Sequence, residues 1–273
     1  MISVFGASGF IGSHFCNTFP KEVHIQERDS MVPETNNILF LISTVHNYNV
    51  FTNPTIDIMT NGAMPMSVLW SAKEKFGSDF TFTYVSSWFV YGWNDQLSTE
   101  NAVCRPEGLY SISKFAGEML VKSFCETYGI KWRVLRLASI LGVGDKKASL
   151  KKNAVQYLLE EMGRKHPITI YDTPSYRDIM DVRDCVQAIH LVMNSKGTEN
   201  QIWNIGNGIS YNVKRLLEFV GSALSAKIDY MKVPQFHSQV QSQFFKMDTT
   251  KLKSLGYKRV YSLKSTIGWI LGY

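Results

Sequence analysis

Cysteine is scarce in this 273-residue chain. Cys16, Cys104, Cys125 and Cys185 lie far apart and no two have C-x-x-C spacing, which excludes a zinc knuckle and a dithiol redox motif. Buried, reduced thiols and no bound metal are the expectation. No apolar run reaches the ~18–20 residues that span a bilayer, and no basic segment leads into an apolar one at the start. A cytoplasmic protein with no membrane partner is therefore expected. Low-complexity stretches and internal repeats are lacking as well. The net charge is +6, but its Lys and Arg are scattered, which argues against nucleic acid as a partner. Residues 146–152, KKASLKK, form the one cluster; they read either as a solvated loop and helix start or as a patch that meets an anionic substrate. With 45% hydrophobic and 19% charged residues, the composition is that of a globular protein able to bury a substantial core.

What is present is an alternation of strand and helix. MISVF is a short apolar run, GASGFIG brings three glycines, and an apolar-periodic stretch of about two turns begins at Ser13. EVHIQERD and NNILFLIST read as the next strands, residues 54–76 as helix, FTFTYVSS as strand, residues 111–128 as helix and KWRVLRLAS as strand. Such alternation predicts an α/β fold with a doubly wound, Rossmann-like parallel sheet. After Gly144 the order becomes irregular. A helix is expected at about residues 148–162, then the strand PITIY, then a loop ending in YRDIMDVRDCVQAIHLVM. QIWNIGNG, YNVKRLLEFVGSAL and AKIDYMKVP add a strand and turn, a helix and a strand. The expected organisation is a dinucleotide-binding domain over residues 1–147 and a small C-terminal substrate lobe over residues 148–273, with segments around residues 176–208 returning to the first domain.

Gly6, Gly9 and Gly12 stand directly between the first strand and the first helix. Each has a use if a dinucleotide is bound: a tight turn, a close approach of backbone to pyrophosphate, and close packing of helix on strand. Glu27, at the expected end of the second strand, occupies the place where an acid takes the adenosine ribose hydroxyls. Arg28 beside it suits the 2'-phosphate of NADP or a surface ion pair. Farther on, LYSISKFAGEML sets Tyr110 and Lys114 four residues apart, on one face of a helix. That spacing alone is not decisive, because with 13 Tyr and 20 Lys about one such pair arises by chance.

With the glycine turn, VSSWFVYG and YSISK in order, the chain resembles the extended short-chain dehydrogenase/reductase family, in particular its NAD(P)-dependent nucleotide-sugar epimerase and dehydratase branch. NPTIDIMTN, with Asn61, LRLASILGVGD, YRDIMDVRDCVQAI and IWNIGNG resemble further landmarks of that branch. The resemblance implies Ser87, Tyr110 and Lys114 as catalytic residues. For the cofactor, NADP or NAD with NADP favoured, it implies Gly6, Ser8, Gly9, Phe10, Ile11 and Gly12 of the turn, then Glu27, Arg28 and Ser43, with Tyr110 and Lys114 again. For a nucleotide-activated sugar it implies Ser87 and Arg177, the latter either on the diphosphate or in an ion pair with Asp181 or Asp184; Trp88, where the chain departs from the family, is expected to wall the sugar pocket or simply to pack. A homodimer through the central helices would also follow. Chemistry supports the triad: free tyrosine, with a pKa of ~10, is a poor base, and a nearby ammonium favours its phenolate.

The chain departs from that pattern in two places. Between residues 28 and 38 there is too little chain for the usual helix, strand and helix, so one βα unit is expected to be missing and the EVHIQE strand to lie at the sheet edge. After Ser87, where 4,6-dehydratases carry an Asp-Glu pair, stand Trp88 and Phe89, which cannot do acid/base work. Epimerisation or keto-sugar reduction at sugar C4 is thus the expected function. The alternatives are a non-catalytic dinucleotide sensor and a reductase of a non-nucleotide carbonyl compound.

Overall fold

The computed structural model describes residues 1–92, 97–146, 148–240 and 244–273. The chain begins with β1 (Ile2–Phe5), α1 (Phe10–Thr18), β2 (Val23–Ile25) and β3 (Asn37–Phe40). A 3₁₀ turn (Asn47–Phe51) leads into α2 (Thr55–Ile58), a π turn (Met59–Ala63) and α3 (Met64–Phe76). Then come β4 (Thr81–Ser87), a second 3₁₀ turn (Trp88–Tyr91), α4 (Leu109–Tyr128) and β5 (Lys131–Leu137). Together with β9 (Gln201–Ile205) these strands form a six-stranded sheet in the order β2-β1-β3-β4-β5-β9, parallel throughout. Both faces are covered, which is why β4 and β5 are buried along nearly their whole length. On one face Phe15 and Cys16 of α1 pack with Val186 and Ile189 of α6 (Val182–Asn194). On the other, Val68 and Leu69 of α3 meet Val121 and Cys125 of α4.

The remaining elements make a second core. Leu158 and Met162 of α5 (Ala154–Gly163) pack with Ile168 and Ile170 of β7 (Ile168–Tyr171) and Leu217 and Val220 of α7 (Val213–Leu224). β11 (Ile228–Met231) pairs with β7. β6 (Ser139–Leu141), β8 (Tyr176–Asp181) and β10 (Ser210–Asn212) form a small three-stranded sheet. Among the described residues no helix is long and apolar enough to cross a membrane, and the four cysteines are unpaired.

The short sheet edge agrees with the sequence. β2 has only β1 as a neighbour, and residues 26–36 cross to β3 without a strand outside that edge. Several boundaries differ from expectation. The second strand stops at Ile25, and Arg28 and Asp29 already turn. The helix expected from residue 148 starts at Ala154, since Ser149 and Lys152 bridge to each other and Asn153 is left-handed at φ 50°. Residues 176–181, read as loop, are β8, paired on both sides. The helix expected over residues 54–76 is interrupted by its π turn, a device common at functional sites.

One buried ion pair holds α4 to the sheet. Arg136 on β5 donates from Nη2 to Glu118 on α4 at 2.7 Å and from Nε at 3.1 Å, with both side chains almost fully enclosed. Burying such a pair contributes little net stability, but removing one partner leaves an uncompensated charge and costs about 3–5 kcal/mol. Glu118→Ala is therefore expected to lower the unfolding free energy by about that amount in urea denaturation. A loss below ~1 kcal/mol would show that water reaches Arg136 once Glu118 is gone.

Candidate active site

The sheet directs its functional groups to the C-terminal ends of β1, β3 and β4, where ligands of open α/β sheets bind. Gly6 follows β1 at φ +88°, and a Cβ there would press on the Ile42 backbone nitrogen at 3.0 Å. At Gly12 a Cβ would lie 2.1 Å from the Gly6 carbonyl oxygen, so this contact of α1 with the turn requires glycine. Gly9 caps α1, with no side-chain cap and no acid in the first turn. The first amides of α1 are thus left for an external anion, with Ser8 and Gly9 exposed and Phe10 and Ile11 half-buried beside them. This cradle fits a dinucleotide pyrophosphate. Glu27 and Arg28 lie past the end of β2, both exposed, and among the described residues neither forms an ion pair.

Ser87 ends β4, and Tyr110 and Lys114 lie in the first two turns of α4. All three are buried. Burial raises the Tyr110 phenol above its ordinary pKa; the neighbouring Ser87 and then Ser43 hydroxyls oppose that rise, and the Asp57 charge adds to it least. Lys114 Nζ donates to the Val85 carbonyl at 2.6 Å and lies 4.2 Å from the Tyr84 ring centroid. Burial drives the Lys114 ammonium down to about 7, with the Glu118 carboxylate opposing. Burial thus weakens the positive charge by which Lys114 would favour a Tyr110 phenolate.

Ser43 belongs to a network centred on Asn61 in the π turn. The Asn61 amide oxygen accepts from Ser43 Oγ at 3.0 Å and from the Thr44 amide at 3.2 Å, and Nδ2 donates to Thr44 Oγ1 at 2.7 Å and Ser113 Oγ at 2.9 Å. Ser113 in turn donates to the Tyr110 carbonyl at 2.9 Å. Nothing in the spacing of residues 43–61 announced this network.

On the other side of Tyr110 lies a cavity of about 200 Å³. Phe89 divides the two, its ring edge-on to Tyr110 at 5.7 Å and against Trp88 at 4.1 Å. Trp88 carries the Arg177 guanidinium 4.8 Å from its ring centroid, and burial pushes Arg177 down to about 10. Arg177 Nη1 also donates to the Tyr176 carbonyl at 2.7 Å. Asp181 pairs with Arg183, and Asp184 accepts from the Val260 and Tyr261 amides. Among the described residues the cavity is lined by Lys151, Arg177 and Lys214 and by no Asp or Glu; of the KKASLKK cluster Lys151 faces it, while Lys152 is tied to Asp145 at 2.7 Å. His46, Tyr171 and His237 line it too and were missed in the sequence. A hollow of about 550 Å³ at the other end of the strands, beside Met1 and Asn36, holds none of these groups.

The sequence pattern of the NAD dependent epimerase/dehydratase family matches residues 37–206. The chain belongs to that family. It is an NAD(P)-dependent enzyme of the extended short-chain dehydrogenase/reductase type. A relative, the GDP-6-deoxy-D-mannose reductase of Pseudomonas aeruginosa, is 24% identical over 98% of this chain and 95% of its own. Among solved structures, the Thermotoga maritima UDP-glucose 4-epimerase with UDP-glucose superposes with TM-score 0.88 at 22% identity, covering 100% of this chain and 97% of that one. The Thermus thermophilus UDP-glucose 4-epimerase with NAD does so with TM-score 0.85 at 20% identity, over 99% and 97%. At such identities the likeness is one of fold.

Lys114 has a consequence for stability. Its folded pKa is depressed, so the folded protein binds fewer protons than the unfolded chain between pH ~7 and ~10.5, and stability rises with pH across that window. Urea denaturation of the cofactor-free protein should show greater stability at pH 9 than at pH 7, and Lys114→Met should abolish most of that gain. A variant with the same pH slope as the wild type would place the titration elsewhere.

Proposed function

We propose that this enzyme acts on a nucleotide-activated sugar, as an epimerase or keto-sugar reductase working through hydride transfer at sugar C4. The observation that supports this reading is Ser87 at the end of β4 near the Tyr110 phenol, with Lys114 one helical turn on and Phe89 linking Tyr110 to a cavity rich in cations and aromatic rings. The nicotinamide cofactor, when bound, gives or takes the hydride. Tyr110 passes a proton to or from the sugar oxygen, and the Ser87 hydroxyl donates to or accepts from that oxygen as it changes between ketone and alcohol. Lys114 would hold the cofactor ribose. Arg177, presented over Trp88, suits a diphosphate, which its planar fork can bind with two hydrogen bonds. Residues 148–273 serve as the substrate lobe in this reading. Trp88 and Phe89 wall the sugar pocket, and with no carboxylate there 4,6-dehydration has no acid/base pair to use.

Thermal-shift screening against UDP-, dTDP- and GDP-sugars with each cofactor tests the substrate class, because a ligand bound to the folded state raises Tm by mass action. On the sugar so identified, Tyr110→Phe is expected to lower turnover about 100-fold or more while cofactor binding survives. Full turnover in that variant would remove Tyr110 from the chemistry.

Arg28 supports a preference for NADP. A guanidinium on a 2'-phosphate forms a charge-assisted contact, so Arg28→Ala should weaken NADP by about tenfold and leave NAD nearly unchanged in fluorescence titration. Equal losses for both cofactors, or tighter NAD binding by the wild type, would make Arg28 a plain surface residue.

A further inference from the structure

His46 stands in the segment between β3 and α2, which the fold anchors at three points around it. Two residues earlier, Thr44 is held by the Asn61 amide, and its hydroxyl donates to the enclosed Asp57 carboxylate. Three residues later, Asn49 Nδ2 donates to the same carboxylate at 2.9 Å. Between them, the buried Asn47 accepts at Oδ1 from the Ser111 amide and donates from Nδ2 to the Ser111 hydroxyl, each at 3.4 Å. Ser111 is the residue after Tyr110, so the segment lies against the first turn of α4. The imidazole itself is fixed as well, because its Nδ1 accepts from the Tyr48 amide at 3.2 Å. A backbone amide can only donate, so Nδ1 carries no proton and the ring is the neutral tautomer with its hydrogen on Nε2. Among the described residues that Nε2–H has no hydrogen-bond partner, and the ring lines the cavity. Burial holds the ring below its usual pKa, against the pull of the Asp57 charge.

We propose that His46 is a specificity-determining residue whose Nε2–H donates to an oxygen of the sugar. The inference rests on the nucleotide-sugar reading above and deepens it. The groups around the cavity decide which part of the ligand the ring meets. Arg177, Lys151 and Lys214 supply the positive charge that suits a diphosphate, whereas one neutral donor matches an uncharged hydroxyl or carbonyl. The tie from Asn47 to Ser111 sets the segment beside Tyr110, which meets the reacting oxygen in that reading. With its loop anchored at Thr44, Asn47 and Asn49, the donor loses little freedom when it binds. A sugar that lacks or inverts the matching oxygen leaves the N–H unpaired, and that penalty is the source of discrimination.

The bond from the Tyr48 amide also makes His46 the cap of the 3₁₀ turn that follows. The two roles use different atoms, Nδ1 for the cap and Nε2 for the sugar. Serine caps through its hydroxyl but is too short to carry a donor to the Nε2 position. His46→Ser therefore keeps the first role and removes the second.

Isothermal titration calorimetry in saturating NADP, and separately in NAD, tests this by comparing UDP-glucose with UDP, dTDP-glucose with dTDP and GDP-mannose with GDP. Each sugar nucleotide that the wild type binds is expected to bind His46→Ser about tenfold more weakly, with the free nucleoside diphosphate within about twofold of wild type. No loss for the sugar nucleotide leaves His46 a cap alone, and equal losses for sugar nucleotide and free nucleotide take its contact away from the sugar; either overturns the proposal. Nitrogen-15 NMR of histidine-labelled wild type, with the His46 signals assigned by their absence from His46→Ser, reads the donor without relying on the variant's stability. At neutral pH it should show a neutral ring protonated on Nε2, whose N–H signal moves with the sugar nucleotide and not with the free nucleotide. A cationic ring, or a proton on Nδ1, overturns the proposal whatever the ligand. If the wild type binds none of the three sugar nucleotides, the nucleotide-sugar reading fails and this proposal with it, whereas binding without an effect at His46 defeats this proposal alone.

Discussion

The side-chain amide of Asn61 is the joint on which the site depends. Its two lone-pair positions and two N–H groups are all used, by Ser43, the Thr44 amide, Thr44 Oγ1 and Ser113. It can make these four bonds because the π turn carries Asn61 inward, where an uninterrupted helix over residues 55–76 would set it differently. The loop after β3 and the first turns of α4 are thereby fixed to each other by one group. Ser43 and Tyr110 face each other as a consequence, and the Tyr84 hydroxyl on the Asn61 carbonyl ties the same joint to β4.

Around that joint burial displaces several basic groups from their ordinary pKa values. Lys114 is driven to about 7 and Arg177 to about 10 by burial, and burial followed by the Arg177 charge brings His237 to about 4. Groups displaced in this way are less stable than they would be in water, and a ligand of opposite charge would relieve them. The cavity side presents cations and no acid, which supports an anionic ligand there.

The parallel sheet and its short edge were legible in the sequence because each depends on local pattern: continuous apolar runs, glycine spacing and the length of a link. Ser87, Tyr110 and Lys114 were singled out through resemblance, since four-residue spacing says only that two side chains share a helical face. Asp57 was not. It stands four residues before Asn61 and so on the same side of the segment, but an acid between Ile56 and Ile58 reads as a solvated position until tertiary packing encloses it. His46, Tyr171 and His237 come from three separate segments, and no local period could bring them to one cavity. The π turn left no sign because its sequence, MTNGA, is also compatible with a continuous helix.

The short sheet edge is separate from the candidate site. The elements around that site are β1, β3, β4, the π turn and α4, and of these only β1 pairs with the edge strand β2. The family match begins at residue 37, beyond the shortened edge. The active-site joint can therefore stay intact while the far end of the dinucleotide cleft becomes open. Glu27 and Arg28, the two groups left at that end, are exposed and flank the crossing segment that replaces the lost unit. In the proposed reading a dinucleotide would be held by the turn at Gly6, Gly9 and Gly12, whose helix amides lack a side-chain cap, and by the buried Lys114, while Arg28 at the open end would meet only the 2'-phosphate that distinguishes NADP from NAD.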